Sequence, residues 1–314
     1  PPDPAEGALS GDHKADVCIV GAGFTGLAAA LSLAQAGCSV IVLDTGGAGY
    51  GASGRNGGQV LPGFKWDPDE LVATYGAERG EAIAAFAGAA PTLVYDLIER
   101  HGIVCGLRRC GWLNAAVDDA AFARQASRAE QWARRGAPVR IVDREEAAAL
   151  LGTERYRGAL LDDRAGALNP LAYARGLAAA AQRAGARIHG SSQVRTLDKT
   201  GLGWRVTTGS GCVEASDVIL ATNGYTDETL PPWIGGRLLP ALSRVIVTRP
   251  ISDNELKAQG WVSHNMAYDT RNLVHYFRLL PGNRFLFGGR GGTDASPEGL
   301  KAVTSSLRRH FESM

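Results

Sequence analysis

Three glycines and one aspartate near the start of the chain could bind a dinucleotide. Gly21, Gly23 and Gly26 have the spacing GxGxxG and lie between an apolar run, DVCIV, and a helix-like run. At such a turn, glycine lets main-chain N–H groups and a helix N-terminus approach a pyrophosphate. Asp44 follows Gly26 by 18 residues and ends the next apolar run, where a carboxylate can accept hydrogen bonds from the adenosine ribose. The carboxylate would also repel the extra phosphate of NADP. This pattern predicts a βαβ nucleotide-binding unit.

A second glycine-rich loop favours FAD over NAD. The segment GASGRNGGQV follows Asp44 closely, and a nicotinamide domain has no use for such a loop there. FAD has a ribityl chain and a tricyclic ring to hold, and bare main chain can lie against that ring while polar side chains contact its edge. The alternative for Arg55 is an ordinary surface ion pair. The residues predicted to contact FAD in this loop are Ser53, Gly54, Arg55, Asn56, Gly57, Gly58 and Gln59.

Composition and charge exclude several other functions. The chain has 33 Lys and Arg against 32 Asp and Glu, and this balance gives no field that would attract nucleic acid. Its five cysteines form no CxxC pair, which argues against a disulfide scaffold and a zinc site. The longest apolar stretch, residues 17–43, is interrupted by four glycines. We therefore expect a cytoplasmic protein without an integral membrane segment, without bound metal and without a nucleic-acid partner.

The order of the elements predicts an α/β fold with two domains. Residues 1–15 are rich in proline, glycine and charge, and are predicted to form a loose arm. Residues 16–66 and 152–225 are predicted to form a discontinuous, Rossmann-like FAD-binding domain, because strand and helix patterns alternate there. Residues 67–151 and 226–314 are predicted to form a substrate or cap domain with a mainly antiparallel sheet.

Individual elements follow from periodicity and from helix and turn signals. Helices are predicted over 67–101, with an interruption near Pro91, and over 119–136, 144–151 and 170–184. Two short strands are predicted within 102–117, with a turn at Gly106. Further strands are predicted at 187–189, 193–198, 203–208 and 217–221. The strands NLVHYFRLL and RFLFGG are predicted to form a hairpin around Pro281-Gly282-Asn283.

One of these late strands carries candidate substrate contacts. Period-two alternation in NLVHYFRLL places Tyr276 and Arg278 on one face. A tyrosine beside an arginine suits an amine that bears a carboxylate, because arginine can bind a carboxylate through two hydrogen bonds. The alternative is that Tyr276 only packs and Arg278 is solvated. Tyr268 and Arg290 are further candidates for substrate contact.

Several segments resemble the FAD-dependent D-amino-acid and glycine oxidase superfamily. They are DVCIVGAGFTGLAAALSLAQAG, VIVLD, GYGASGRNGGQ, VILATNGYTD and HYFRLLPGNRFLFGGR, in the order expected for the family. The string SGRNGGQ most resembles its gamma-glutamylputrescine oxidoreductase branch. The resemblance implies further FAD contacts at Phe24, Thr25, Val194, Ala221, Thr222 and Asn223.

The resemblance also implies a reaction. A neutral amine or amino acid would transfer hydride to flavin N5, the imine would hydrolyse, and oxygen would reoxidise the flavin to give hydrogen peroxide. The loop contains neither His nor Cys, so we expect FAD to be bound non-covalently. Asp44 stands where the family usually has Glu. Family members continue beyond residue 314, so we expect this chain to be truncated at its carboxyl end.

Three functions remain open from the sequence. The first is an FAD-dependent oxidoreductase for a gamma-glutamylputrescine-like amine. The second is an oxidase or dehydrogenase for glycine, sarcosine or a D-amino acid. The third is an inactive fragment or binding module for an ADP-containing ligand, which would stay colourless when FAD is added.

Overall fold

A computed structural model of the chain describes residues 1–201, 203–226, 230, 232–261, 263–294 and 296–314. It divides into two compact units. The first contains Pro1–Asn56, Leu97–Gly106 and Asn169–Pro240, and the second contains Gly57–Asp96, Leu107–Leu168 and Ala241–Met314. The chain therefore passes from the first unit to the second within the second glycine-rich loop.

The first unit is built on a six-stranded sheet. Its strands are β1 Gly11–Val20, β2 Val40–Leu43, β8 Arg187–His189, β9 Thr196–Thr200, β10 Gly203–Thr207 and β11 Gly211–Leu220. The strand order is β8-β2-β1-β11-β10-β9, and β8, β2, β1 and β11 are parallel. Helices α1 Phe24–Gln35 and α6 Pro170–Arg183 belong to this unit. The arrangement confirms the predicted α/β class.

Apolar residues of the parallel strands make the core that fixes the nucleotide turn. Cys18, Val20, Ile41 and Leu43 belong to one buried cluster, as expected for parallel strands covered on both faces. Burial raises the pKa of the Cys18 thiol to about 12. Because β1 and β2 are held rigidly side by side, the loops at their carboxyl ends are brought to one edge of the sheet.

The second unit contains a seven-stranded sheet and most of the helices. Its strands are β3 Gln59–Val60, β4 Trp112–Ala116, β5 Val139–Val142, β6 Gly158–Asp162, β7 Gly166–Ala167, β12 Leu242–Pro250, β13 Met266–Asp269, β14 His275–Leu280 and β15 Arg284–Gly292. Strands β3 and β7 form a separate pair. The helices are α2 Pro68–Tyr75, α3 Ala77–Arg100 as far as Asp96, α4 Asp119–Ala133, α5 Arg144–Leu151, α7 Asp253–Ala258 and α8 Pro297–Glu312.

The large sheet has the order β12-β15-β14-β13-β4-β6-β5. All of its neighbouring pairs are antiparallel except β13 with β4, which confirms the predicted mainly antiparallel character. One face carries the apolar core that includes Leu113, Phe277 and Phe287. The opposite face carries Tyr268, Tyr276 and Arg278, because side chains alternate along each strand. The predicted alternation of the β14 strand is confirmed.

The structure corrects several predicted boundaries. The loose arm predicted at 1–15 is wrong, because β1 begins at Gly11 and Leu9 is fully buried. Strand β1 pairs with β11 from its first residue, which extends the parallel ladder. Strand β11 starts at Gly211, well before the predicted residue 217. Helix α3 continues through Pro91 rather than stopping there. Residues 103–105 form no strand, and β9 starts at Thr196 rather than at residue 193.

Helix α3 is long and apolar enough to cross a membrane by length and composition. The core helix of a soluble protein meets the same criteria, and Ala84, Ala87 and Tyr95 of this helix are buried. Length and composition therefore do not by themselves indicate a membrane span. The cytoplasmic location stays a prediction. Asp227, the last residue of VILATNGYTD, lies outside the described residues.

Candidate functional site

The first unit has a cavity of about 320 Å³ at the carboxyl edge of its parallel strands. The loops that follow β2, β8 and β11 meet there with the turn that leads into α1. The predicted FAD contacts that line the cavity are Gly21, Gly23, Asp44, Ser53, Val194, Ala221, Thr222 and Asn223. Residues far apart in sequence are thus brought together as the βαβ pattern predicts.

Two of the glycines are required by close backbone contacts. Gly21 has a φ of 111°, and a Cβ atom there would lie 2.6 Å from the carbonyl oxygen of Ala221. At Gly26, a Cβ atom would overlap the carbonyl oxygen of Gly21. A side chain at either position would separate helix α1 from the strands. The GxGxxG spacing therefore reflects the packing of α1 against β1 and β11.

Gly23 leaves the N-terminus of α1 accessible from the cavity. It is the N-cap residue of the helix and has extended backbone geometry. A Cβ atom at this position would meet only the Ser53 side chain, 2.9 Å from its Oγ. Ser53 Oγ also accepts a hydrogen bond from Phe24 N at 2.9 Å. This helix end therefore offers N–H groups and a positive dipole to an anion in the cavity.

Asp44 lines the cavity and also holds its own loop together. Its carboxylate accepts hydrogen bonds from the main-chain N–H groups of Ala22 at 2.8 Å, Gly46 at 2.8 Å and Gly47 at 3.0 Å. A carboxylate has about four acceptor positions. About one acceptor position therefore remains for a ribose hydroxyl. Asp44 can make the predicted ribose contact and still hold its own loop together.

Other predicted contacts of the first unit lie outside the cavity lining. Arg55 Nε donates to the carbonyl of Tyr50 at 2.8 Å, and its guanidinium lies 4.9 Å from the centre of that ring. Asn56 Nδ2 donates to the carbonyls of Ala52 and Ser53 at 3.1 and 2.9 Å. These bonds fold the loop back on itself. The predicted residues that do not line the cavity are Phe24, Thr25, Gly26, Gly54, Arg55 and Asn56.

Sequence reasoning missed several residues of the cavity wall. Most are direct neighbours of predicted ones, so the loop geometry was the missing information. Tyr225 comes from the segment after β11, and its ring would lie 2.9 Å from a Cβ atom at Gly51. No spacing rule connects these two positions. The lining residues that the sequence did not single out are Val20, Leu43, Thr45, Tyr50, Gly51, Ala52, Ser192, Gln193 and Tyr225.

The remaining residues of the glycine-rich loop lie against the large sheet of the second unit. Gly57 faces the Tyr276 ring, which would lie 3.3 Å from a Cβ atom. Gly58 has a φ of 67°, and a Cβ atom there would overlap the Leu168 carbonyl oxygen and approach Arg278 Nη2 to 2.8 Å. Gln59 Nε2 donates to the carbonyl of Ala267 at 3.2 Å. Bare main chain therefore fits this polar face closely.

Arg278 is a buried cation on that face. Only 7% of the residue is exposed. Its Nη2 donates to the Leu168 carbonyl at 2.8 Å, while its Nε has no hydrogen-bond partner in the part of the chain that the structure describes. Burial lowers the pKa of the guanidinium below its ordinary value, and Arg108 lowers it further. The alternative prediction of a solvated Arg278 is wrong.

The other candidate substrate residues differ in position. Tyr276 donates to or accepts from Ser243 Oγ at 2.7 Å, and burial raises the pKa of its hydroxyl. Tyr268 is its cross-strand neighbour, and burial also raises its pKa. Arg290 is exposed on β15. Tyr276, Arg278 and Tyr268 therefore share one face, whereas Arg290 is outside this buried group.

The first-unit cavity fits the ADP half of FAD. Glycines stand where side chains would fill the cradle or break its packing, a helix N-terminus offers donors to a diphosphate, and a carboxylate acceptor stands where a ribose needs one. The cavity volume of about 320 Å³ lies at the lower end of the range for small-molecule sites, about 300 to 1,000 Å³. The donor set and the shape agree with the predicted cofactor.

Comparisons with known proteins agree with this geometry. The family model "DAO: FAD dependent oxidoreductase" matches residues 16–314. The chain is 34% identical to gamma-glutamylputrescine oxidoreductase of Escherichia coli over 276 residues, which cover 87% of this chain and 64% of that protein. It is 33% identical to the probable oxidoreductase OrdL of Haemophilus influenzae over 307 residues, 95% of this chain and 69% of that protein.

A solved structure supports the fold. Glycine oxidase from Geobacillus kaustophilus aligns with a TM-score of 0.70 at 23% identity, covering 93% of this chain and 76% of that one. At this identity the similarity concerns the fold alone. The chain spans less than two thirds of the length of the Escherichia coli protein that it matches.

Proposed function

The chain belongs to the DAO family of FAD-dependent oxidoreductases, and on that premise we propose that it oxidises the C–N bond of a gamma-glutamylputrescine-like amine. FAD as the cofactor is confirmed by the family, in which non-covalent binding is typical. We propose that residues 16–66 and 152–225 bind FAD and that residues 67–151 and 226–314 bind the substrate.

The chain's own residues would divide the binding of FAD between main chain and side chains. The N-terminus of α1 and the backbone at Gly21 and Gly23 would hold the diphosphate, and Asp44 would accept from the ribose. Ser53 would keep the second loop against the helix. The loop from Arg55 to Gln59 would lie along the flavin ring. Bound FAD would supply the redox chemistry, as an acceptor for hydride from the carbon that bears the amine, with oxygen as the proposed final acceptor and hydrogen peroxide as its product.

The observation that most supports an amine with a carboxylate is the burial of Arg278. A buried guanidinium without a carboxylate partner is costly, because its charge is removed from water without an opposite charge. Among the described residues its only hydrogen-bond partner is the carbonyl of Leu168. A substrate carboxylate would supply the missing charge, and Tyr276 would supply a hydroxyl beside it. Tyr268 and Arg290 stay secondary candidates.

Glycine, sarcosine or a D-amino acid is the second candidate substrate class. The chain is 31% identical to a glycine oxidase of Pseudomonas aeruginosa over 226 residues, which is 57% of that protein. A small amino acid and a gamma-glutamyl diamine share a carboxylate but differ in length. Arg278 alone therefore does not distinguish them.

The test is a flavin spectrum combined with turnover. Purified protein is titrated with FAD and then mixed with gamma-glutamylputrescine, putrescine, glycine, sarcosine and D-alanine, and peroxide is followed through a coupled peroxidase. The proposal expects a bound oxidised-flavin spectrum and the fastest peroxide formation with gamma-glutamylputrescine. Faster turnover of sarcosine or glycine would favour the second candidate. A protein that stays colourless after FAD has been added would refute both candidate functions.

A pair of glycine variants makes the test specific to the cavity. In Gly23→Ala, the new methyl group meets only the Ser53 side chain, and both residues line the cavity. We expect FAD affinity to fall about tenfold or more while unfolding of the FAD-free protein changes little. Gly209→Ala is the matched control, because a Cβ atom there contacts nothing within 4 Å. Equal FAD affinity in the two variants would contradict the proposed position of FAD.

A further inference from the structure

Two arginines of the second unit, Arg108 and Arg278, have no acidic partner. Among the described residues neither guanidinium forms an ion pair, and Arg278 donates instead to the Leu168 carbonyl. Arg278 is 7% exposed, whereas Arg108 is exposed on the segment that precedes β4. A buried cation without a counter-charge is costly. An exposed cation next to it would bring the same anion within reach of both, so their relative position matters.

The backbone of Arg108 lies next to the residue that holds Arg278. Arg108 N donates to the Ala167 carbonyl and Ala167 N donates to the Arg108 carbonyl, both at 2.8 Å. Residues that exchange two such bonds stand directly opposite each other in an antiparallel pair. Leu168, the residue after Ala167, accepts the hydrogen bond from Arg278 Nη2 at 2.8 Å. The backbone partners of the two arginines are therefore consecutive residues.

The side chain of Arg108 is directed to the polar face of the large sheet. Directly opposite residues project to the same side of a ladder, so Arg108 and Ala167 share one side. Ala167 belongs to the buried cluster against which Tyr268 packs, and Tyr268 lies on the same sheet face as Arg278. Gln59, opposite Ala167 on β3, reaches the same sheet, because its Nε2 donates to a carbonyl of β13 at 3.2 Å. Arg108 therefore faces the sheet that carries Arg278.

The next residue, Arg109, points to the opposite side of the same segment. Its guanidinium lies 4.6 Å from the centre of the Tyr95 ring. Gly166 of β7 faces the same tyrosine, because a Cβ atom there would lie 2.5 Å from Tyr95 Oη. Side chains alternate between the two sides of an extended segment, so this contact agrees with the direction of Arg108. The chain thus has two adjacent exposed arginines, of which only Arg108 is directed to Arg278.

The charges of Arg108 and Arg278 act on each other without an opposing charge. Burial lowers the pKa of the Arg278 guanidinium, and the positive charge of Arg108 lowers it further. The Cys110 thiol also lies near Arg278, but burial raises its pKa above the ordinary value, so it is neutral at pH 7. An anion bound between two cations stabilises the charged form of both. A carboxylate suits this place, because a guanidinium can bind both of its oxygens.

We propose that Arg108 is the outer cation of a carboxylate site whose inner cation is Arg278, and that it selects amines that bear a carboxylate. Because Arg108 is exposed, its charge attracts the anion from solvent before the carboxylate reaches the buried guanidinium. This inference rests on the proposed function and adds a residue that determines specificity for charge. Arg108 contacts the carboxylate and takes no part in the redox step. An amine of the same shape without a carboxylate gains nothing from it.

The test compares two ligands that differ in one charge, gamma-glutamylputrescine and its analogue with a carboxamide in place of the carboxylate. Binding to the full chain with FAD is measured by calorimetry, with the flavin reduced beforehand and oxygen excluded, so that no turnover takes place. We expect the wild type to bind the carboxylate form at least about tenfold more tightly. In Arg108→Gln this preference falls about fivefold, while the affinity for the carboxamide form stays unchanged. Arg108→Lys recovers part of it, because it keeps the charge without the planar fork.

Arg109→Gln is the matched control, because it removes the same charge from the adjacent residue, on the side of Tyr95. Thermal unfolding should be the same in the wild type and Arg108→Gln, since Arg108 pairs with Ala167 through its backbone. A preference that is reduced only in Arg108→Gln supports the site even if no amine is oxidised. Turnover of gamma-glutamylputrescine with an unchanged preference in Arg108→Gln overturns the inference and leaves the proposed function standing. Equal losses in both variants, or no preference in the wild type, also overturn it.

Discussion

The two units build their sites from different parts of the chain. In the first unit the cavity is made largely from main chain, at the turn between β1 and α1 and in the loop around Ser53. In the second unit the candidate site consists of the side chains of Tyr268, Tyr276 and Arg278 on one face of the large sheet. A backbone site tolerates little change in geometry, whereas a side-chain site can be altered without loss of the fold.

The two units also differ in the charged residues that they bury and in the partners of those residues. No charged residue in the first-unit cavity other than Asp44 is among the lining residues. The second unit buries Arg278, Asp162 and Asp269. Asp162 is paired with Arg164 at 2.5 Å, and Asp269 is paired with Arg271. Arg278 has no such partner in the described residues, and this difference from the structural ion pairs is the reason that we propose it as a binding group.

The largest effect is expected from Gly26→Ala. A Cβ atom at this position overlaps the Gly21 carbonyl oxygen and approaches Ile19 Cγ2 to 3.2 Å. Neither atom can move without shifting α1 from β1, so we expect a loss of about 4 kcal/mol in the free energy of unfolding. Chemical denaturation of the FAD-free protein measures it. A change below 1 kcal/mol would show that the first unit is not built on this close contact, whereas Gly209→Ala is expected to be neutral.

Asp269→Asn tests a structural ion pair of the second unit. Asp269 is fully buried, its Oδ1 accepts from His275 N at 3.1 Å, and its carboxylate pairs with Arg271. Removing its charge leaves Arg271 without its partner, so we expect a loss of about 3 kcal/mol in the free energy of unfolding at pH 7. FAD affinity should stay unchanged, because Asp269 does not line the first-unit cavity and its partners are Arg271 and His275. Weaker FAD binding in Asp269→Asn would show that this ion pair is not purely structural.

The same carboxylate gives the stability a defined pH dependence. Burial by itself raises the pKa of Asp269, but hydrogen bonds from His275 and the charge of Arg271 lower it below the ordinary value. The unfolded chain therefore binds a proton at a higher pH than the folded chain, and stability is lost as the pH falls through the folded pKa. Asp269→Asn should flatten this loss between about pH 5 and pH 3. Asp119→Asn, with a side chain that is 89% exposed, should keep the wild-type slope. If stability fell with the same slope in the wild type, in Asp269→Asn and in Asp119→Asn, this pH dependence would not come from Asp269.

The smallest effect is expected from Ser53→Ala. Ser53 Oγ accepts from the main-chain N–H of Phe24, and the loss of this bond should cost about 1 kcal/mol. Because the bond joins the second loop to α1, we expect FAD affinity to fall by a few fold as well. Ser210→Ala is the matched control, because its hydroxyl donates to the Leu9 carbonyl away from the cavity. Equal FAD affinity in both variants would show that Ser53 does not position the loop.

The sequence predicted the first site better than the second for a physical reason. The glycine spacing follows from packing between consecutive elements, so Gly21, Gly23 and Asp44 are recognisable without a structure. The register between β13 and β4 joins segments about 150 residues apart, and no local pattern reports it. The loose arm was predicted because residues 1–15 have no apolar periodicity, yet pairing with β11 orders residues 11–15.

The measurement that tests the account most directly compares FAD with FMN. Both carry the flavin ring, but only FAD has the ADP half that the first-unit cavity is proposed to hold. Titration of the purified chain, followed by flavin fluorescence, should give a Kd for FAD at least about 100-fold below that for FMN, and ADP should compete with FAD. Equal affinities for FAD and FMN, with no competition by ADP, would contradict the assignment of this cavity to the nucleotide.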